Sequence, residues 1–396
     1  MRFLIISRDY PEFLLWLYGE HPGLEKQPYS EQVRVRMESL FYSADFYARN
    51  LRKLGHEAWD VHFNNEPMQR AWARECGLRS QEPTRPHRGF ADLLQRARRA
   101  GDKTPLRYLR VAFLPLLRWL DSQQAWTYDI LSAQIRWYKP DVILNQFIPL
   151  STDFLAQQKL HSRLLIGQHA SPVPPGRDYG IYDLILSSLP NLVDQFRREG
   201  IPSELYQWCF EPAVLERLGE VKKSIDASFV GTLFRIHAAR QSWLDCVCRR
   251  TRVDVWAHGI DGVPKSSPIF DHYHGPVFGS HMYRILRSSR ITLNHHIDAA
   301  QSYANNMRLF EATGVGTLLI TDWKQNLHEM FEPGTEVVAY QDAQECVDLI
   351  QYYLEHEHER VAIAQAGQRR TLRDHTYYHR VQELVDIARK HLQTKP

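Results

Sequence analysis

One stretch of the chain, residues 305–322, places an amide, a cation and a carboxylate on one predicted helix. Asn306, Arg308 and Glu311 open a helical pattern that ends at a glycine and is followed by an apolar strand. A helix N-terminus offers free N–H groups and a positive dipole end, which suit a diphosphate. Arg308 can add a bidentate contact to the phosphate oxygens. Glu311 follows one turn later, where its carboxylate can accept both hydroxyls of a ribose.

The same spacing has a purely structural interpretation. An arginine and a glutamate three residues apart often form a surface ion pair that contributes little to stability. On spacing alone, this interpretation is favoured over a ligand site for Arg308 and Glu311.

Two residues in the first half follow predicted strands and are candidates for acid–base chemistry. His169 comes after a buried strand, where a neutral imidazole can hydrogen-bond a hydroxyl or act as a base near pH 7. Asp9 follows the first strand and can act as a general base. A loop histidine with a structural hydrogen bond and a turn-capping aspartate are the alternatives, and both stay open.

Metal and disulfide chemistry are not expected. The five cysteines are scattered and form no Cys-x-x-Cys pair, which is typical of reduced thiols in a cytoplasmic protein. His295 and His296, with Asp298 nearby, suggest a metal at first sight. Adjacent residues of a strand point to opposite faces, however, so a shared metal site is not expected.

Alternating strands and helices must position these residues. Buried apolar runs predict parallel strands at 2–7, 57–63, 141–145, 164–167 and 184–187, and again at 227–231, 253–257, 291–294, 317–321 and 336–339. Helical patterns lie between them, the longest from Ser30 to Leu54. The prediction is an α/β protein with two doubly wound Rossmann-like domains, 1–220 and 221–376, in which 216–226 looks like a hinge.

Length, charge and composition limit the classes of function that the sequence allows. A length of 396 residues suits two domains, and a net charge of +3 is too small for a dedicated nucleic-acid binder, so none is expected as a partner. No apolar run is long enough to span a bilayer. Residues 64–125 are predicted to form a basic helical insertion into the first domain. Within it, residues 85–118 include nine Lys or Arg. That segment predicts either contact with an anionic membrane surface or a solvated charged face.

Taken in order, these segments resemble the GT-B glycosyltransferases of the glycosyl-transferase-1 group, in the branch named for spore-maturation proteins. The shared motif occurs here at Asn306, Arg308, Phe310, Glu311, Gly316 and Thr321-Asp322. Further matches follow in order at 228–232, 291–294, 331–336, 364–367 and 374–380. Several ordered matches are far more specific than a single glycine motif.

The resemblance implies a GT-B fold, with two facing Rossmann-like domains around a central cleft and a final helix (377–396) that crosses back to the first domain. It implies transfer of a sugar from a nucleoside-diphosphate donor to a glycan or lipid-linked acceptor, without metal or cofactor. Bacterial cell-surface polysaccharide synthesis in the cytoplasm, at the inner face of the membrane, is the implied setting. The implied donor-binding residues are Gly231, Thr232, Arg235, Arg240, Asn294, Asn305, Asn306, Arg308 and Glu311.

One departure from the family pattern limits the prediction. Retaining relatives often carry another glutamate eight residues before the position of Glu311, and Tyr303 stands there in this chain. The sugar and the stereochemical course therefore stay open. Two alternatives remain beside the transferase: a degenerate GT-B subunit that binds glycans or acts as a scaffold, and a sugar-nucleotide epimerase of the same fold.

Overall fold

The computed structural model describes residues 1–78, 125–173, 178–234, 237–304 and 306–394. Its strands form one sheet of six and one of five. The first sheet contains β1 (Arg2–Ser7), β2 (Glu57–His62), β3 (Val142–Asn145), β4 (Leu164–Gln168), β5 (Leu184–Ser187) and β6 (Ser203–Leu205). The second contains β7 (Ile225–Thr232), β8 (Asp254–His258), β9 (Ser289–Asn294), β10 (Leu318–Asp322) and β11 (Val338–Tyr340).

Both sheets have a doubly wound strand order. The first runs β2-β1-β3-β4-β5-β6 and the second β11-β10-β9-β7-β8. The pairs β1–β3, β3–β4, β4–β5 and β5–β6, and all pairs of the second sheet, are parallel. The strand order therefore reverses beside β1 in one sheet and beside β7 in the other, which creates a crevice at the carboxyl ends of the strands.

Helices fill the intervals between the strands. In the first half they are α1 (Pro11–Glu20), α2 (Tyr29–Glu38), α3 (Phe46–Lys53), α4 (Glu66–Glu75), α5 (Ala125–Tyr138), α6 (Thr152–Lys159), α7 (Pro190–Arg198) and α8 (Ala213–Leu218). In the second half they are α9 (Ala238–Cys248), α10 (Gly279–Ser288), α11 (Met307–Gly314), α12 (Leu327–Met330), α13 (Ala343–Glu355), α14 (Glu357–Asp374) and α15 (Tyr377–Thr394).

The chain divides into two compact units. One comprises residues 1–7, 35–61 and 140–396 and holds both sheets, while the other comprises 8–34 and 62–139. Of the predicted basic insertion, residues 79–124 lie outside the described residues, and with them the basic segment 85–118. The described part contains α4, whose N-cap Asn65 accepts a hydrogen bond from the backbone N–H of Met68 at 3.4 Å.

The prediction of one continuous helix from residue 30 to residue 54 is wrong. Three residues between α2 and α3 have a left-handed backbone: Leu40 (φ 57°), Tyr42 (φ 55°) and Ala44 (φ 38°). The fully buried Arg36 donates from Nη1 to the carbonyl of Phe41 at 3.2 Å and thereby holds this turn. A local hydrogen bond from a buried arginine side chain therefore accompanies the turn that interrupts the predicted helix.

Two segments that connect the sheets meet at Phe210. This residue lies between β6 and β7, and its N–H donates to the carbonyl of His375 at 2.9 Å. The carbonyl of Phe210 in turn accepts from the N–H of Tyr377 at 3.0 Å. Tyr377 begins α15, which packs against α3 beside the first sheet. The two connections are thus hydrogen-bonded to each other.

Candidate functional site

The candidate site lies at the carboxyl ends of β7, β9 and β10, beside the switch point of the second sheet. Gly231 and Thr232 end β7, and Asn294 ends β9. The start of α11, with Asn306, comes to the same edge, because Asn306 Nδ2 donates to Asn294 Oδ1 at 2.8 Å. The structure therefore brings together four residues that the sequence predicts to bind the donor.

Asn306 also determines where α11 begins. It is the N-cap residue, with an extended backbone, and its Oδ1 accepts from the N–H of Leu309 at 3.3 Å. Asn294 in turn contacts β10, since its Nδ2 donates to Thr321 Oγ1 at 2.9 Å. The first turn of α11 is thereby fixed to the ends of β9 and β10, and the free N–H groups of that turn have a set position.

Arg308 and Glu311 form an ion pair, but a buried one. Arg308 Nη1 lies 2.8 Å from Glu311 Oε2, and the two side chains are 13% and 6% exposed. Arg308 Nε also donates to the carbonyl of Val230 on β7 at 3.1 Å. The surface-pair interpretation does not describe this geometry, because a buried pair carries a large desolvation cost that surface pairs avoid.

The Glu311 carboxyl lies in a low-dielectric environment. Burial raises the pKa of Glu311, while Arg308 and a hydrogen bond from the Tyr283 hydroxyl oppose that shift. Tyr283 belongs to α10 and is itself buried. The arrangement keeps a hydrogen-bond acceptor beside the crevice with two partners that favour its ionised form.

Arg240 joins the ends of β7 and β9. Its Nε donates to the carbonyl of His295 at 2.9 Å, and its Nη1 lies 3.2 Å from the carbonyl of Thr232. The side chain extends from α9 and is buried. Burial lowers the pKa of Arg240 to about 10, so the guanidinium stays charged at neutral pH. A fixed cation therefore lies at the crevice of the switch point.

Asp322 forms a charged cluster with His296 and Lys324 at the same edge, and the sequence analysis did not predict this cluster as a site. His296 Nδ1 lies 2.7 Å from Asp322 Oδ1, the backbone N–H of His296 donates to the same oxygen at 3.0 Å, and Lys324 Nζ lies 3.2 Å from Oδ2. Burial alone would raise the pKa of Asp322, but His296, His295 and Lys324 hold it well below its usual value. The sequence signal was present, because Asp322 ends the motif and follows a buried strand.

His295 contacts other residues than its neighbour His296 does. Its ring stacks on Trp243 at 4.8 Å between centroids, and its Nδ1 lies 2.9 Å from the Tyr340 hydroxyl. Burial lowers the pKa of His295 to about 4, so the ring is neutral near pH 7. The two adjacent histidines thus serve separate contacts, and no group of three His, Cys, Asp or Glu in the described ranges is arranged to hold a metal ion.

His169 lies at the end of β4 in the first sheet. Its backbone N–H donates to the carbonyl of Leu186 at 2.9 Å, and its ring lies 5.9 Å from Tyr179 and 6.3 Å from Phe196. The side chain is 8% exposed. The ring of His169 is thus packed against aromatic side chains, and its catalytic role stays a prediction.

Asp9 belongs to the smaller unit. It is fully buried, and its Oδ1 lies 3.2 Å from Nδ1 of the equally buried His62. Its backbone N–H donates to Asn64 Oδ1 at 2.8 Å. This environment is typical of a structural aspartate, and a role as a base stays a prediction. The remaining predicted residues, Arg235 and Asn305, lie outside the described residues.

Comparisons with known proteins identify a similar family model and similar folds. Residues 235–386 match the family model described as "Glycosyl transferase-like". Sucrose-phosphate synthase from Thermosynechococcus elongatus has a similar structure, with a TM-score of 0.55 and 11% identity over 100% of both chains. HepE from Anabaena, solved with UDP-glucose, has a TM-score of 0.55 and 10% identity over 98% of this chain and 100% of its own. A glycosyltransferase from Rickettsia africae has a TM-score of 0.54 and 10% identity over 100% and 99%.

The fold is GT-B. The fold class predicted from the sequence is therefore confirmed, and the family-model match supports the predicted place of the chain among the GT-B glycosyltransferases. The spore-maturation branch stays a prediction. No curated protein matches the chain in sequence. In the described part of the GT-B chain, no helix is both long and apolar enough to cross a membrane.

Proposed function

We propose that this GT-B protein transfers a sugar from a nucleoside-diphosphate donor to a glycan or lipid-linked acceptor. The observation that carries the proposal is the buried Arg308–Glu311 pair at the first turn of α11, beside the switch point of the second sheet. Burial of two charges is costly, and perturbed charged groups that lie in a crevice are candidates for a functional site.

The nucleotide would lie along the carboxyl ends of β7 and β9. The Glu311 carboxylate would accept the ribose hydroxyls, while the first turn of α11 and Arg308 would face the diphosphate. Arg240 adds a second fixed cation at the same crevice. The UDP-glucose complex of HepE, which shares the fold, supports a donor of this class.

The reaction breaks the bond between the anomeric carbon and the diphosphate oxygen and forms a bond from that carbon to an acceptor hydroxyl oxygen. Negative charge develops on the departing diphosphate, and preorganised cations at the crevice would stabilise it without a metal ion. The proton of the acceptor hydroxyl must leave to a base or to water. His169, at the end of β4 in the first sheet, is our candidate for this base.

A thermal-shift screen against UDP, GDP, TDP and CMP tests the donor site. We expect one diphosphate to stabilise the protein by several degrees at a concentration far above its Kd, because a ligand that binds only the folded state raises Tm. Absence of stabilisation by every nucleotide would contradict the enzyme and favour a degenerate scaffold or glycan-binding subunit. Release of a sugar epimer from the bound nucleotide sugar would point instead to an epimerase.

Glu311→Gln tests the proposed ribose contact with little change of shape. We expect this variant to weaken binding of the stabilising nucleotide by about tenfold or more, since hydrogen bonds to charged groups contribute about 1.5–3 kcal/mol. Glu355→Gln, at the exposed end of α13 in the same domain, is the matched control and should bind like the wild type. Equal binding by both variants would remove Glu311 from the site.

We further propose an acceptor at the inner membrane surface, in bacterial surface-polysaccharide synthesis. The support is the basic composition of residues 85–118 and the resemblance noted from the sequence. Flotation with liposomes that contain anionic lipid should carry the wild type upward. A variant with the basic residues of 85–118 neutralised should stay behind, whereas equal flotation would reject the membrane contact.

A further inference from the structure

The loop between β9 and α11 is hydrogen-bonded to the segment that follows the neighbouring strand β10. We call residues 295–304 the β9–α11 loop, and the segment beside it comprises residues 322–326. Three hydrogen bonds join the two: the His296 N–H to Asp322 Oδ1 (3.0 Å), Lys324 Nζ to the Gln301 carbonyl (2.7 Å) and the Gln325 N–H to the Ser302 carbonyl (3.0 Å). The loop therefore has a defined conformation along its length.

One residue of the β9–α11 loop has a strained backbone. Gln301 has φ 51° and ψ −119°, a region that residues other than glycine rarely adopt. Its side chain is exposed, whereas its carbonyl accepts the hydrogen bond from Lys324. Such conformations persist where surrounding contacts impose them, and they cluster at ligand sites. A strained residue at the carboxyl edge of the sheet therefore points to a ligand beside this loop.

Asn326 holds the end of the β9–α11 loop with both groups of its amide. Its Oδ1 accepts from the backbone N–H of Ala304 at 2.6 Å, and its Nδ2 donates to the carbonyl of the same residue at 3.1 Å. Both residues are buried. Asn326 is the N-cap residue of α12, where an asparagine usually caps its own helix, but here the side chain turns to Ala304 instead.

The contact at Ala304 acts on the start of α11. Ala304 comes two residues before Asn306, the N-cap of that helix, so Asn326 limits where the first turn can lie. The proposed diphosphate would meet this turn and Arg308. Charge-assisted hydrogen bonds to phosphate depend steeply on distance and angle. Glu311, the proposed ribose contact, follows one turn later, where α11 is packed in the core, and should be less sensitive to a shift of the loop.

We propose that Asn326 is a positioning residue, which holds the β9–α11 loop so that the start of α11 meets the diphosphate of the bound nucleotide. This inference rests on the proposed function, because it presumes a nucleotide at α11.

The test is calorimetric titration of the full chain and its Asn326→Ala variant with UDP and uridine, and with the pairs GDP and guanosine, and TDP and thymidine. Binding of each nucleoside is measured by its competition against the diphosphate. The wild type should bind one diphosphate more tightly than its nucleoside. In Asn326→Ala, the ratio of the two Kd values should fall by about tenfold, since a hydrogen bond to a charged group contributes about that factor.

Asn64→Ala is the matched control. Asn64 makes the same pair of hydrogen bonds with Asp9, because its Oδ1 accepts from the backbone N–H at 2.8 Å and its Nδ2 donates to the carbonyl at 2.8 Å. Asn64 belongs to the smaller unit of the chain. This control should keep the wild-type ratio of Kd values even if it lowers Tm.

Asn326→Ser replaces Asn326→Ala if the alanine variant does not fold. The serine side chain is too short to reach both backbone groups of Ala304, so the same fall of the ratio is expected. Thermal unfolding of each variant shows that the titrated protein is folded.

The outcomes separate the two proposals. If the wild type binds none of the nucleotides, the proposed function fails and the inference fails with it. If the wild type prefers the diphosphate and the folded Asn326 variants keep that preference, only the role of Asn326 is overturned. An equal fall of the ratio in Asn64→Ala, or a wild type that binds diphosphate and nucleoside equally, would also overturn it.

Discussion

Phe210 packs directly on Gly314, so closely that a Cβ atom on residue 314 would overlap its ring. Gly314 ends α11, the helix that carries Arg308 and Glu311, whereas Phe210 lies on the connection between the two sheets. The helix of the proposed nucleotide site thus rests on the connection between the two sheets. Glycine is required there by lack of space rather than by an unusual backbone angle.

Gly314→Ala should therefore destabilise the protein. Alanine favours a helix over glycine by about 1 kcal/mol, but overpacking of a filled core costs about 1–3 kcal/mol, and here the second effect should win. Urea unfolding measures the difference. Gly19→Ala is the control, since Gly19 lies in α1 with no heavy atom near its Cβ position, and this variant should be neutral or stabilising. Equal behaviour of the two variants would contradict the packing argument.

Removing Arg308 alone should destabilise the protein more than removing both Arg308 and Glu311. Arg308→Met leaves the Glu311 carboxylate buried without its cation, and we expect a loss of about 3–5 kcal/mol. The double variant Arg308→Met/Glu311→Met should recover much of that loss. Denaturant unfolding of the four proteins in the cycle measures both values. As control, Arg389→Met breaks an exposed pair with Asp386 of the same spacing and should cost less than about 1 kcal/mol.

Asn306 should affect both stability and ligand binding. Asn306→Ala removes a helix cap, which costs about 1–2 kcal/mol, and also frees Asn294 at the crevice. Ser151→Ala removes a cap outside the candidate site, at the start of α6. Thermal unfolding should show a loss in both variants, whereas nucleotide titration should show weaker binding in Asn306→Ala alone. Unchanged nucleotide affinity in Asn306→Ala would place the residue outside the donor site.

Acid should destabilise the folded protein through His375. Burial lowers the pKa of His375 to about 4, and its Nε2 lies 3.0 Å from the carbonyl of Met330. The unfolded chain takes up a proton near pH 6.5, whereas the folded protein does so only near pH 4. The contribution of His375 to the free energy of unfolding is therefore complete above pH 6.5. It falls by up to about 3 kcal/mol as the pH drops to 4.

His375→Gln keeps a donor for the Met330 carbonyl but cannot be protonated. Its unfolding midpoint in urea should fall less steeply between pH 7 and pH 4.5 than that of the wild type. His328→Gln, at an exposed histidine, should keep the wild-type slope. An unchanged slope in His375→Gln would show that other groups cause the acid sensitivity.

Sequence pattern alone predicted most of the regular elements. Buried apolar runs located strands such as β1 and β5 to the residue, because parallel strands covered on both faces are apolar throughout. The strand β6 was missed, since three residues with two polar side chains form no such run. The helix predicted over 30–54 was divided in two because the buried Arg36 holds the turn that follows it.

The sequence by itself determined that Asn306, Arg308 and Glu311 share the first turns of one helix, because their spacing is local. Only the tertiary structure decided that the pair is buried, that Arg308 lies against Met282 of another helix, and that Arg240 joins two strands. The physical reason is that helix and strand periodicity depends on near neighbours in the chain. Burial, pKa and hydrogen-bond partners depend instead on which distant elements the folded chain brings into contact.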